Sequence, residues 1–351
     1  MTVNSTQTQT HLDVQRYYGE ILKTKADLQT SACCPTAAPP RYVQRALERV
    51  PAEIQARSYG CGSPVPLALE GCTVLDLGCG TGQDAYVCAE RVGPSGRVIG
   101  VDMTPAQLVV GREHQEAHRQ ALGYAVSNVD FRHGFLEELG EAGIADASVD
   151  VVISNCVLNL APDKSRVFSE IMRVLKPGGE LYFSDVFASR RLPAWMRQDT
   201  QLVGECLGGA MYTEDFRRLM QQLGIADYRI VSSGPLEATS PEVADKIGLI
   251  AFSSLTVRAF KLPALEDRCE DYGQVAYYEG SIPDAPNAFV LDDHHVFERG
   301  RPVSVCSNTA MMLTDTRLAP HFRVAGDTST HFGLFDCGPQ PADDSSAGAC
   351  C

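Results

Sequence analysis

An open, mostly parallel α/β sheet with helices on both faces, followed by a small β-rich domain, is the fold this sequence predicts. Strand-like apolar runs alternate with helical segments from Gly71 to about Ser232. A glycine-rich turn follows the first of those runs, and residues 233–340 are poorer in helix signals and richer in Pro, Gly and Asp. With 351 residues and 44% hydrophobic side chains, the chain can bury a full core and suits two compact domains, or one large domain with an appendix.

The strand candidates are Thr73–Leu77, Arg97–Val101, Asn128–Arg132, Val149–Ser154, Glu180–Val186 and Tyr228–Val231. Between them lie helical candidates at Asp84–Arg91, Pro105–Leu122, Lys164–Leu175 and Glu214–Leu223. Thr104-Pro105-Ala106-Gln107 reads as a capping box with proline at the first helical position. Lys176-Pro177-Gly178-Gly179 ends a helix and turns into the next strand, and Thr213 is a candidate N-cap. Residues 1–70, with a helical pattern at His11–Leu28 and a Cys/Pro/Ala-rich Ser31–Pro40, read as a cap over the core. Residues 71–232 form that core, with a last core strand expected within 250–260. A small C-terminal domain is expected over 233–340, with short strands such as Gln274–Tyr278, then a flexible tail, 341–351, ending in Cys350-Cys351.

The formal charge of -14 argues against a nucleic-acid or anionic membrane surface, because phosphates need clustered Lys and Arg. No apolar stretch approaches the roughly 20 residues of a membrane span. The polar Met1–His11 lacks the charged start and apolar run of a signal peptide, so a cytoplasmic protein with reduced thiols is expected. A monomer without nucleic-acid or membrane partners is the expected form. Against that background, 13 cysteines are the most unusual feature of the composition.

The sharpest local signal is Val74-Leu75-Asp76-Leu77-Gly78-Cys79-Gly80-Thr81-Gly82, an apolar strand running into a glycine-rich turn before a helix. Glycines there let the backbone come close to a ligand. Asp102 ends the second strand, in position to accept hydrogen bonds from ribose hydroxyls. A dinucleotide site uses the same physics, and a glycine-rich turn can also hold nothing. The spacing is G-x-G-x-G, and the Asp76 carboxylate would repel a pyrophosphate but attract a sulfonium bearing an α-amino group. S-adenosylmethionine is therefore favoured.

On these motifs, residues 71–186 resemble a Rossmann-like class I S-adenosylmethionine-dependent methyltransferase. Asp76, Gly78, Gly80 and Gly82 match its first motif, Asp102 its ribose-binding acid, and Asn155 with Val157 the end of its fourth strand. His133–Glu137 matches the segment along the adenine. The resemblance implies a cofactor site made of Tyr59, Asp76, Gly78, Gly80, Gly82, Asp102, Met103, Phe135, Leu136, Asn155 and Val157.

The cysteines divide into two groups. Cys72, Cys79 and Cys88 read as small buried hydrophobes, and so do Cys269, Cys306 and Cys337, which lack metal-ligand spacing. Cys156, by contrast, lies just beyond the fourth strand, where open α/β sheets bind ligands. Cys206 lies in a glycine-rich segment after the fifth strand, and Cys33 and Cys61 lie in the N-terminal cap. None of these four forms the C-x₂₋₄-C pairs usual for structural zinc. Thiolates select soft centres, and trivalent arsenic fits: its hydroxide condenses with thiols, leaving a pyramidal tris-thiolate with a lone pair.

With those cysteines, the chain from Tyr17-Tyr18-Gly19 onward resembles arsenite methyltransferases. The motifs that carry this are Asp27–Thr30 with Cys33, Tyr59–Gly62, Leu75–Gly82, Ser154–Leu160, Gly178–Val186 and Gly204–Ala210. The resemblance implies that Cys156 and Cys206 hold arsenic, while Cys33 and Cys61 assist and can pair as a disulfide during turnover. Spacing from Leu28-Gln29-Thr30 favours Cys33 over the adjacent Cys34, and both stay open for that role. A cysteine of some relatives is Ile250 here, so no arsenic role is carried to it.

The implied activity is methylation of thiol-bound trivalent arsenicals, with an external thiol reductant such as glutathione or thioredoxin. A lone-pair nucleophile needs no general base, in keeping with the lack of a His/Asp constellation; His294-His295 reads as an exposed surface pair. Two other readings remain open: methylation of an organic molecule such as a quinone precursor, and non-catalytic sequestration of a metalloid by thiols.

Overall fold

The computed structural model describes residues 5–17, 38–238 and 240–337. The expectations for Asp27–Thr30, Cys33, Cys34 and the 341–351 tail lie outside those residues. The described residues form two compact units, divided between Pro263 and Ala264.

The first unit opens with helices α1 (Ser5–Arg16), α2 (Arg41–Leu47) and α3 (Ala52–Ala56). Its strands are β1 (Thr73–Leu77), β2 (Arg97–Asp102), β3 (Val129–His133), β4 (Val149–Asn155), β5 (Leu175–Ala188), β6 (Met211–Tyr212), β7 (Tyr228–Leu236) and β8 (Phe252–Phe260). The connecting helices are α4 (Gln83–Val92), α5 (Pro105–Leu122), α6 (Lys164–Val174), α7 (Thr200–Gly204), α8 (Thr213–Gln222) and α9 (Pro241–Ile247). The sheet order is β3-β2-β1-β4-β5-β8-β7, with β6 beside β5. Strands β1 to β5 run parallel, whereas β8 is antiparallel to both β5 and β7.

Alternation along each strand explains the layers. Leu75, Leu77 and Val152 face a core that includes Val167, Phe168 and Ile171 of α6 and Phe216 and Met220 of α8. Val74, Val151 and Ile153 face the opposite core, built with α2, α4 and α5. Helices therefore cover both faces. Sheet order reverses between β1 and β4, and the crevice beyond their carboxyl ends is the place where such folds bind ligands.

Several local expectations are corrected. The helix expected at His11–Leu28 is α1, Ser5–Arg16, with 18–28 outside the described residues. Thr104 does occupy the N-cap of α5, but its side chain makes no capping bond; it is hydrogen-bonded to the Asp102 carboxylate instead. Tyr212, not Thr213, occupies the N-cap of α8. Residues 176–179 belong to β5, with a register shift against β4, and Gly178 and Gly179 exchange backbone hydrogen bonds with Lys261. The division between units falls at Pro263, not at 232, because β7 and β8 are hydrogen-bonded into the main sheet. A buried ion pair at 2.5 Å between Arg258 of β8 and Glu180 of β5 reinforces that join.

The described part of the second unit is β-rich: β9 (Glu270–Asp271), β10 (Gln274–Tyr278), β11 (Ala288–Val290), β12 (Val296–Glu298), β13 (Pro302–Val305), β14 (Phe322–Ala325) and β15 (Gly333–Leu334), with the α-helix α10 (Ser307–Thr314) and a 3-10 turn at Ala319–His321. Strand β10 pairs antiparallel with β13 and β14. Aromatic rings of Tyr278, Phe289, Phe297 and Phe322 pack its core, with centroids 5.1–5.9 Å apart. The exposed histidine pair is half right. His294 is exposed and bonded to Asp293, but His295 is buried with Nδ1 2.8 Å from the buried carboxylate of Asp292. No described helix is long and apolar enough to cross a membrane.

Candidate functional site

A cavity opens at the β1/β4 reversal. Of the residues expected around a cofactor, Tyr59, Asp76, Gly78, Gly80, Asp102, Met103, Phe135, Leu136, Asn155 and Val157 line it. Gly82 does not; it caps α4 against the Phe131 ring. Gly78 is required where it stands. Its φ is +67°, and a Cβ there would lie 2.3 Å from the Val157 side chain.

Asp102 is held by two backbone donors, the Gly80 N–H at 2.9 Å and the Thr104 N–H at 2.7 Å. The turn after β1 is thus tied to the end of β2, and the carboxylate keeps lone pairs for a further donor. Burial pushes Asp102 above its ordinary value, opposed by those hydrogen bonds.

Asp76 tests whether a cationic ligand fits. It is buried, lines the cavity, and its Oδ2 has no hydrogen-bond partner. Burial raises its pKa well above the ordinary carboxylate value, and the neighbouring Asp84 and Asp102 raise it further. Three acidic groups converging without a cation are costly by themselves, and a ligand with a positive charge relieves that cost. The donor set fits the sulfonium and α-ammonium of S-adenosylmethionine and opposes a pyrophosphate.

The thiols occupy the same end of the sheet. Cys156 follows β4 directly and lines the cavity. It is disulfide-bonded to Cys61, with Cα atoms 5.8 Å apart, and the Cys61 N–H points to the Cys156 sulfur at 3.1 Å. Asn155 pins the Cys61 loop there: its Nδ2 donates to the Gly62 carbonyl at 3.1 Å and to Asp84 at 2.9 Å. The resemblance implies that Cys61 can pair with Cys33. Here Cys61 is bonded to Cys156, and Cys33 lies outside the described residues.

Cys206 follows α7, whose start is capped by the Asp199 carboxylate. Its sulfur donates to the Cys156 carbonyl oxygen at 3.4 Å. A Cβ at Gly209 would lie 2.0 Å from the Asn159 carbonyl oxygen, so glycine is what allows this loop to press against the 3-10 turn that follows β4. Cys156 and Cys206 have φ of +56° and +62°, a left-handed conformation uncommon for residues with a Cβ and concentrated at functional sites. Cys61, Cys156 and Cys206 are all buried in one apolar cluster.

Sequence reasoning missed four contributors. His11 and Val14 of α1 line the cavity, with the His11 ring 4.8 Å from that of Phe135. Asp84 is in the first turn of α4, two residues past the glycine motif, where its charge could have been noticed. Asp185 is fully buried, and one of its oxygens lies within 4.8 Å of the Cys61 and Cys156 sulfurs. Burial raises Asp185 to about 7 despite the N–H groups of Val186 and Asn159 and the nearby Lys164. Its position inside the matched Gly178–Val186 segment was the available signal. Cys72, Cys79 and Cys88 are buried as expected, and burial pushes the Cys79 and Cys88 thiols up, away from thiolate.

The chain is similar to known proteins over most of its length. A family model described as "Methyltransferase domain" matches residues 68–224, and one described as "Arsenite methyltransferase C-terminal domain" matches residues 271–350. The arsenite methyltransferase of Aquipseudomonas alcaligenes is 53% identical over 329 residues, 93% of this chain and 94% of that protein. The arsenite methyltransferase of Mus musculus is 44% identical over 89% of this chain and 82% of its own length. The crystal structure of an arsenic(III) S-adenosylmethionine methyltransferase from Chlamydomonas reinhardtii superposes with a TM-score of 0.82 at 50% identity. It covers 85% of this chain and 100% of that one.

Proposed function

The chain belongs to the arsenite methyltransferase family, and on that premise we propose that it methylates trivalent arsenic held by Cys156 and Cys206, with Cys61 and Cys33 assisting. The observation that carries this reading is the meeting of Cys61, Cys156 and Cys206 in one buried cluster, of which Cys156 lines a cavity with an acidic interior. An organic acceptor would give three buried sulfurs at that place no chemical role.

S-adenosylmethionine is the methyl donor; when bound it supplies an electrophilic methyl on a positively charged sulfur. Asp76 would balance that cation, Asp102 would accept from the ribose hydroxyls, and Phe135 and Leu136 offer apolar surface for the base. The thiols contribute the nucleophile. Arsenic bound by three thiolates keeps an unshared pair and has no proton to lose, so methyl transfer itself needs no general base. What remains for the protein is alignment, which can lower a barrier by up to roughly 7–11 kcal/mol.

Cys156 is unavailable to arsenic while bonded to Cys61. Two external thiols reduce that bond, becoming a disulfide themselves and leaving two protein thiols, so a reductant such as glutathione or thioredoxin belongs to the reaction. Asp185, beside both sulfurs and with a pKa near 7, is placed to take a thiol proton as the As–S bond forms and to pass it to the departing hydroxide, which leaves as water.

The test incubates purified protein with arsenite, S-adenosylmethionine and a thiol, then separates the arsenic species by chromatography. Methylated arsenicals are expected. Recovery of inorganic arsenite alone, with the methyl donor unconsumed, would overturn the proposal.

A further inference from the structure

Cys269, Cys306 and Cys337 carry no metal-ligand spacing, yet the second unit brings their sulfurs within 4.8 Å of one another. Strand pairing accounts for two of them. β9 and β15 are antiparallel, with Leu334 opposite Glu270, and the Phe335 N–H continues the ladder to the Cys269 carbonyl at 2.8 Å. Cys269 and Cys337 therefore flank the same short ribbon.

Cys306 arrives from the other side. It is the N-cap of α10, where its sulfur accepts the Thr309 N–H at 3.4 Å and lies 3.3 Å from the Thr309 hydroxyl. The loop before Cys269 is clamped to the same helix start. Asn308 exchanges hydrogen bonds of 2.9 and 2.8 Å with the Glu266 backbone, and the Ser307 hydroxyl reaches the Glu266 carboxylate at 2.9 Å. These bonds hold the sulfurs together without an ion, which is pre-organisation.

None of the three is in a disulfide. Cys306 is buried, while Cys269 and Cys337 are partly exposed, which leaves a path from solvent. Cys306 also stands at the N-terminus of α10, an environment that favours a thiolate.

We propose that Cys269, Cys306 and Cys337 form a second site for a soft trivalent metalloid, of which arsenite is the form this protein meets. Three thiolates complete the coordination of trivalent arsenic, whereas structural zinc wants four ligands. Among the described residues no His, Asp or Glu joins the three as a fourth. Binding is condensation without redox change. Three As–O and three S–H bonds break, three As–S bonds form, and three waters leave.

The test uses the reduced full-length chain, equilibrated with arsenite, desalted and analysed for arsenic and zinc per chain by mass spectrometry. Cys306→Ser and Cys337→Ser should each bind one arsenic fewer than the parent. The Cys156→Ser/Cys206→Ser chain reports separately on the site proposed for methylation and should lose its own arsenic whether or not this site exists. Circular dichroism checks folding, and if Cys306→Ser misfolds, Cys337→Ser at the partly exposed position carries the comparison. Unchanged arsenic in the folded variants overturns the proposal. So does retention of zinc in place of arsenic when both are offered.

Discussion

The Cys206 sulfur donates a hydrogen bond to the Cys156 carbonyl oxygen at 3.4 Å, and both residues hold a left-handed backbone. One follows a core strand and the other a covering loop, so the contact fixes loop against sheet where the cavity opens. Left-handed conformations cost on the order of 1–3 kcal/mol at non-glycine residues and persist only where the surroundings impose them.

Replacing either sulfur by oxygen removes a soft ligand with little change in shape. Cys156→Ser and Cys206→Ser should each lower arsenite methylation by about 100-fold or more, equivalent to about 2.7 kcal/mol. Chromatography of the arsenic products measures it, and near-normal rates in either variant would contradict the assignment.

Cys61 is expected to matter chiefly while arsenic still has three exchangeable ligands. A Cys61→Ser variant should lose about tenfold or more in methylation of arsenite but far less with methylarsonous acid, which needs two thiolates. Equal losses on the two substrates would count against a third-ligand role.

Asp102→Ala removes the acceptor of the Gly80 and Thr104 N–H groups together with that for the ribose. Hydrogen bonds to charged groups contribute roughly 1.5–3 kcal/mol, so S-adenosylmethionine affinity should fall by about 10- to 100-fold. Calorimetric titration reads this directly; an unchanged affinity would remove Asp102 from the site.

Asp76 should trade stability for binding. The Asp76→Asn chain loses a buried, crowded carboxylate and should melt higher than the parent without ligand, by about 2–4 °C for each kcal/mol relieved. Its affinity for S-adenosylmethionine should drop at the same time. A lower melting temperature with full affinity is the opposite of what the acidic cluster implies.

Asp185 sets a pH dependence. Its pKa rises from 3.8 to about 7 on folding, so between those values the folded chain keeps a proton that the unfolded chain releases. This contribution to stability is fully present below about pH 3.8, declines as pH rises, and is gone above about 7. Urea unfolding between pH 5 and 7 should show a decline that Asp185→Asn lacks, approaching 1.4 kcal/mol per pH unit at most. Equal slopes in the two proteins would refute it.

The parts legible in the sequence are those written in consecutive residues. The β1 strand, the glycine turn and Asp102 form one local motif, and hydrophobic alternation placed the strands of the sheet. What escaped is either a choice among local partners or a meeting of distant chain. The Thr104 hydroxyl meets a capping-box pattern but bonds the Asp102 carboxylate two residues earlier. His295 sits in an acidic stretch that reads as surface, yet its pairing with Asp292 lets it be buried. Asp185 gains its raised pKa from burial that no local pattern encodes. Cys269, Cys306 and Cys337 converge only once β9 finds β15 across more than sixty residues.

The account rests on arsenic shared by Cys156 and Cys206. Anomalous diffraction at the arsenic edge, from crystals of reduced protein soaked with arsenite, tests it most directly. The expected map has arsenic bonded to the sulfurs of both residues at the cavity beyond β1 and β4. Arsenic found only on cysteines of the C-terminal unit, or on one of these sulfurs with the other turned away, would contradict it.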